Sequence, residues 1–174
     1  MKKVTFLDFS NPLPNRNGGG ATLHIGALYI VSALEEKQYV VDYRDYQTSL
    51  YCNSLKLSDM LEFSDNSADI ILISCMAYML PLVVLFSERF KLANPEKKII
   101  LGGPGPAGVA EELVSAFSFI DYIIKGEGEE TVPLLMDCIV RSKGDINKIP
   151  GIVYRRDTMP TGCLSQFRSC LDKK

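Results

Sequence analysis

The chain has 174 residues, 47% hydrophobic and 23% charged, with 19 Lys+Arg against 21 Asp+Glu for a formal net charge of −2. That length suits one domain burying roughly 70% of the surface its unfolded chain exposes; the apolar fraction excludes a disordered chain, and the 13 Gly and 5 Cys exclude collagen-like and disulfide-dense scaffolds. A slightly negative chain without a basic stripe is not a phosphate-neutralising nucleic-acid reader, and a single His excludes any metal site built on two imidazoles.

From the N-terminus, Val4–Phe9 reads as a strand broken only by Asp8, too short and too polar for a signal peptide. A long Pro/Asn/Gly-rich loop, Ser10–Ala21, follows and includes Asn11, Gly18, Gly19 and Gly20. Leu23, Ala27, Ile30, Val31 and Leu34 then share a helical face, with His24 on its first turn. Tyr39–Tyr43 is the second strand and Ser54–Phe63 a weaker helix. Ile70–Ile73 is the third strand. It opens a stretch of 18 uncharged residues ending at Ser87, whose β-branched start and Pro81 argue for a buried strand, a turn and a helix rather than a membrane span. The helix there presents Met79, Leu82, Val83, Phe86 and Phe90. Lys98–Leu101 is the fourth strand, followed by Gly102–Gly108 and a short helix with Val109, Leu113, Ala116 and Phe117 on one face. Ile120–Ile124 is the fifth strand, and Gly126–Glu130 opens a last long helix carrying Val132, Leu135, Met136, Ile139 and Val140. Gly144 sits where a left-handed residue would stop that helix, and Ile152–Tyr154 is a weak sixth strand. Residues 1–156 thus form one α/β domain, and residues 157–174 read as a tail or the start of a missing domain.

Alternating strands and helices predict a doubly wound, mostly parallel sheet in three layers, Rossmann-like, in flavodoxin-like order 2-1-3-4-5. Near-continuous Val/Ile/Leu strands are what a sheet covered on both faces requires. Ligands of such sheets bind beyond the carboxyl ends of the strands, where strand order reverses. The five cysteines are odd in number and scattered, without a C-x-x-C pair, which suits reduced thiols in the cytoplasm.

The loops at the carboxyl edge carry the chemistry. Gly18–Gly20 before a helix would let backbone N–H groups approach a ligand, or would simply be a loose loop; neither a Walker loop nor a G-x-G-x-x-G fingerprint is present. Gly102, Gly103 and Gly105 clear side chains from a strand exit that Pro104 and Pro106 stiffen, which favours a ligand-facing role. Glu127, Glu129 and Glu130 are explained well enough by the dipole of the helix they open. A lone His24 would coordinate a metal or cap a helix end, and the unliganded reading is the commoner one. Cys163 and Cys170 match no common zinc or iron–sulfur spacing.

The ordered series Ile99-Ile100-Leu101-Gly102-Gly103-Pro104, Ile120-Asp121-Tyr122-Ile123-Ile124-Lys125-Gly126-Glu127-Gly128-Glu129-Glu130-Thr131 and Ile149-Pro150-Gly151-Ile152-Val153-Tyr154-Arg155 resembles the N-terminal cobalamin-binding domain of cobalamin-dependent radical SAM enzymes, over about residues 3–156. The resemblance implies cobalamin over the carboxyl edge of a Rossmann-like sheet. It implies roles in holding the nucleotide tail for Ser74-Cys75-Met76 and for Gly102 and Gly103, with Gly105 beside them and Asn11 and Gly18–Gly20 as the wall of the site. The Asp-x-His-x-x-Gly signature of cobalamin domains is not preserved: Thr22-Leu23-His24-Ile25-Gly26 has no Asp and a displaced Gly. No metal ligand is therefore assigned, and His24 stands only as a candidate cobalt ligand. No C-x-x-x-C-x-x-C motif is present, so a [4Fe–4S] cluster and S-adenosylmethionine belong to a separate or missing catalytic domain or subunit, and no catalytic residue is expected here. The expected partner is a corrinoid, with neither nucleic acid nor membrane. Two alternatives are a degenerate interaction module without cofactor and a binder of a nucleotide or flavin at the same edge.

Overall fold

A computed structural model describes residues 2–9, 24–51 and 54–155. Its strands are β1 (Lys3–Phe9), β2 (Val40–Asp45), β3 (Ile70–Cys75), β4 (Lys98–Gly102), β5 (Tyr122–Ile124) and β6 (Ile152–Tyr154). The helices are α1 (Ile25–Glu36), α2 (Leu57–Phe63), α3 (Leu80–Ala93), α4 (Pro104–Ala107), α5 (Ala110–Ala116) and α6 (Gly128–Arg141). The strands form one six-stranded sheet in the order β2-β1-β3-β4-β5-β6. All pairings are parallel except β5 with β6. The expected order 2-1-3-4-5 is observed, with an antiparallel strand added at one edge.

Period-two alternation divides the strands between two cores. Val4, Phe6, Leu72, Ile100 and Ile124 face α1 and α6, where Leu34, Leu135 and Met136 are buried. Leu7, Phe9, Ile71, Ile73, Ile99, Leu101 and Ile123 face α2, α3 and α5, with Met60, Phe86, Phe90 and Leu113. Helices therefore cover both faces in three layers, which is why the central strands contain almost no polar residue. The carboxylate of Asp121 fastens the entry of β4 to that of β5. It accepts from Ile99 N at 2.9 Å, Lys91 Nζ at 2.8 Å and Lys98 Nζ at 2.9 Å.

Several expectations need correction. Strand β2 runs on to Asp45 because Arg44 and Asp45 pair with Leu7 and Asp8, a continuation that polar residues hide. The segment Gly102–Gly108 is not all loop: Pro104–Ala107 makes a short helical turn. Val109 precedes α5 and is 41% exposed, and the buried face of that helix is Ala110, Leu113 and Val114. The left-handed residue ending α6 is Ser142 (φ 54°), with Lys143 N donating to Asp137 O at 2.9 Å, while Gly144 lies beyond the cap. Among the described residues no helix is long and apolar enough to cross a membrane.

Candidate functional site

Register at the carboxyl edge sets Asp45 beside Asp8, Asp8 beside Ser74, and Ser74 beside Gly102. By alternation Asp8, Ser74 and Gly102 lie on the same face as Phe6, Leu72 and Ile100, the face covered by α1 and α6. From this row a cleft of about 650 Å³ runs between the two helices, over a floor of Phe6, Leu72, Ile100 and Ile124. Its walls are Ala27 and Ile30 of α1 and Gly128 and Val132 of α6. A mostly apolar cavity of this size with a few polar groups at its mouth is the usual form of a small-molecule site. Those groups are His24, Ser74, Tyr78, Glu127 and Glu129.

The glycines after β4 differ in what they do. Gly102 lines the cleft, and a Cβ there would meet only Ile124 Cβ, at 3.9 Å, an ordinary contact. Among the described residues nothing forbids a side chain at Gly102, so its absence leaves room in the cleft. Gly103 also lines the cleft, but its φ of 89° and a would-be Cβ 2.9 Å from Cys75 O make glycine a backbone requirement. Gly105 is buried in α4 with a would-be Cβ 2.8 Å from Cys75 O, and it does not line the cleft. Cys75 points into the opposite core, where burial, aided by the charge of Asp8, pushes its thiol up to about 12. Ser74 and Met76 flank it and do line the cleft. Asn11, Gly18, Gly19 and Gly20 lie outside the described residues.

His24 sits at the start of α1. Its carbonyl accepts from Leu28 N at 3.2 Å, but its side chain makes no capping bond. The ring turns back to β1 instead, with Nδ1 2.6 Å from Asp8 Oδ2. Tyr43 Oη donates to the same oxygen at 3.0 Å. The Asp8 side chain is fully buried and that of His24 is 17% exposed, so the carboxylate must be held by donors of this kind. Burial first, then the neighbouring Asp8, raises the Tyr43 phenol well above its ordinary range and keeps it a donor. Asp45, next in the row, is raised by its own burial, partly offset by the bond from Gln47 N. Sequence reasoning misses Asp8 and Tyr43. The available signal is a lone carboxylate inside a strand whose neighbours are all buried.

The segment opening α6 brings Glu127 and Glu129 to the mouth of the cleft, while Gly128 is buried where a Cβ would stand 2.6 Å from Ile30 Cδ1. Close approach of α1 and α6 explains that glycine. Lys125 pairs outward with Glu111 at 2.9 Å.

A corrinoid with a nucleotide tail fits these features. The cleft, of about 650 Å³, is mostly apolar, and Gly102 leaves open the volume a Cβ would fill. Comparison with known proteins agrees. The family model of the B12 binding domain matches residues 15–136. Over 77 residues the chain is 36% identical to anaerobic magnesium-protoporphyrin IX monomethyl ester cyclase of Synechocystis sp., covering 44% of this chain and 15% of that protein. Over 74 residues it is 31% identical to hopanoid C-3 methylase of Methylococcus capsulatus, covering 42% of this chain and 14% of that protein. The matched stretch is thus a small fraction of either relative. The register row, the side-chain-free exit of β4, the apolar cleft and the match over residues 15–136 agree: the chain belongs to the B12-binding domain family, with cobalamin as its cofactor.

Proposed function

We propose that the chain is the cobalamin-binding part of a two-part enzyme whose radical S-adenosylmethionine chemistry and [4Fe–4S] cluster reside in a separate catalytic domain or subunit. The observation that carries this reading is Gly102, a glycine that packing among the described residues does not demand, lining a mostly apolar cleft of about 650 Å³. In this reading the base of the nucleotide tail enters between α1 and α6. The Ser74 hydroxyl bonds the tail where β3 ends, and Gly102 and Gly103 let it pass over β4. Met76 (38% exposed) and Tyr78 (58% exposed), with Glu127 and Glu129 at the mouth of the cleft, would hold the corrin macrocycle, the two carboxylates as acceptors. Bound cobalamin supplies a cobalt centre able to carry a methyl group; the protein's part is to seat it, exclude water from the tail and present one face to the catalytic part. The names of the two relatives, a cyclase and a methylase, support a two-part enzyme rather than a free-standing carrier. We place the protein in the cytoplasm, in keeping with the free thiols of Cys75 and Cys138.

Mixing the purified chain with hydroxocobalamin, desalting it and recording the visible spectrum tests the reading. Corrinoid absorbance is expected to co-elute with the wild type and to be lost in Gly102→Val. A wild-type protein that emerges free of corrinoid overturns it.

A further inference from the structure

The outer surface of α3 is not that of a solvated helix. Its inner face, with Val83, Phe86, Ser87 and Phe90, is buried against the sheet. The opposite face nonetheless carries Leu85 (48% exposed) and Leu92 (70% exposed), seven residues apart and so in one line along the helix. A helix that is apolar on both sides is ordinarily covered on both. Glu88 and Arg89 stand between the two leucines, three and four residues from each, on the same line. Among the described residues neither of these two side chains has a hydrogen bond or an ion pair. Lys91, by contrast, turns away from the line and pairs with Asp121 at 2.8 Å.

The order along the line is leucine, acid, base, leucine. Turned end for end, that order is complementary to itself. A two-fold axis through the midpoint between Glu88 and Arg89 sets Leu85 against the partner's Leu92 and Glu88 against the partner's Arg89. Each contact then occurs twice, as in any isologous interface. Parallel helices would instead oppose Glu88 to Glu88 and Arg89 to Arg89, and like charges in contact select against that arrangement. Antiparallel pairing therefore takes the exposed leucines out of water and matches charges that have no partner within one chain.

We propose that the outer face of α3 is a two-fold interface between two copies of this chain, paired antiparallel through Leu85, Glu88, Arg89 and Leu92. The surface lies on the α2/α3/α5 side of the sheet, opposite the cleft between α1 and α6. Both clefts of the dimer stay open, and the proposal is independent of what the cleft binds. One helix pair is a small interface, so association is weak and reversible.

Sedimentation equilibrium of the full chain tests this. The weight-average mass is expected to rise from 19.3 kDa toward twice that value as concentration increases from about 1 µM to about 1 mM. Arg89→Glu sets two carboxylates against each other at both ends of the pair and should weaken association at least about tenfold. Glu88→Arg should do the same. The double exchange, Glu88→Arg with Arg89→Glu, opposes unlike charges again and should return association to the wild-type range. Leu92→Asp should abolish it. Leu92 and Arg89 are exposed, so circular dichroism of these variants should match the wild type. A mass of 19.3 kDa at every concentration overturns the proposal and leaves this face to a different protein or to water. Association that survives both Arg89→Glu and Leu92→Asp places the interface elsewhere and overturns it too. So does a double exchange that associates no better than either single variant, because the pairing of Glu88 with Arg89 is then wrong.

Discussion

The two faces of the sheet are built from the same strands and end differently. On the α2/α3/α5 face, Phe9, Tyr46, Phe63, Phe86 and Phe90 interlock ring against ring, with Phe9 to Tyr46 at 5.1 Å, Phe9 to Phe86 at 5.4 Å and Phe86 to Phe90 at 5.6 Å. On the α1/α6 face the sheet contributes Phe6, Leu72, Ile100 and Ile124 but the helices answer with Ala27, Ile30, Gly128 and Val132, and a cleft remains. Aromatic rings fill the volume between layers, whereas small and branched side chains with a glycine-lined exit do not. The first face is packed throughout, whereas the second, packed by Leu34, Leu135 and Met136 further along its helices, leaves room for a ligand at the carboxyl edge.

The largest effect that follows lies on the filled face. Phe86 is fully buried, and Phe86→Ala is expected to cost about 3–5 kcal/mol in urea denaturation, with corrinoid bound per folded molecule unchanged. A loss below about 1 kcal/mol would break the contrast between the faces.

Next come two glycines of a single run, which the contrast sets apart. In Gly105→Ala the new Cβ would stand 2.8 Å from the Cys75 carbonyl. Backbone cannot step aside cheaply, so a destabilisation of about 1–3 kcal/mol is expected. In Gly102→Val the new atoms enter the cleft, and a β-branched residue suits a strand. Stability should stay within about 1 kcal/mol, while hydroxocobalamin affinity falls by at least about tenfold, a loss of about 1.4 kcal/mol. Thermal denaturation alongside corrinoid titration reads both, and the reverse pattern would show that the glycines had been given each other's roles.

These two residues also show the limits of sequence reading. The strands with continuous Ile/Leu/Val, Ile70–Ile73 and Lys98–Leu101, are legible because a doubly covered sheet leaves no other place for such runs. Glycine is legible as a residue but not as a role: Gly102 clears a cleft, Gly103 adopts a φ of 89° and Gly105 avoids a carbonyl, and only packing tells them apart. The Asp8–His24 pair is hidden for a different reason. It joins a strand end to a helix start across 16 residues, and no local pattern encodes which carboxylate the register brings beside which ring. Ser142 is missed because a glycine two residues later offers the more familiar stop signal.

Cys75 gives a smaller effect on the filled face. Its thiol is pushed up to about 12 from 9.0, chiefly by burial. The unfolded chain therefore ionises this thiol first. The sign follows: the protonated buried form is fully favourable below about pH 9, and stability falls as pH rises from there toward about 12. At pH 8 a thiol reagent followed by peptide mass mapping should leave Cys75 unmodified in the folded protein and modify it in urea, and half-buried Cys138 should react faster. Equal rates for the two in the folded state would mean that the filled face opens as readily as its opposite.

The smallest effect separates stability from the cleft altogether. Ser142 holds φ 54° and ψ 35° at the end of α6, the helix that forms one wall of the cleft. A side chain in the left-handed region crowds its own carbonyl, and glycine there does not. Ser142→Gly removes that strain but adds freedom to the unfolded chain, so the expected net gain is at most about 1 kcal/mol. The site lies at the far end of α6 from Gly128 and Val132, which touch the cleft. Denaturation midpoint should rise slightly while hydroxocobalamin affinity stays the same, the converse of Gly102→Val. If tightening the end of α6 also changed affinity, the helix would act as one rigid lever on the cleft, and the cleft would depend on the whole helix rather than on its first turn.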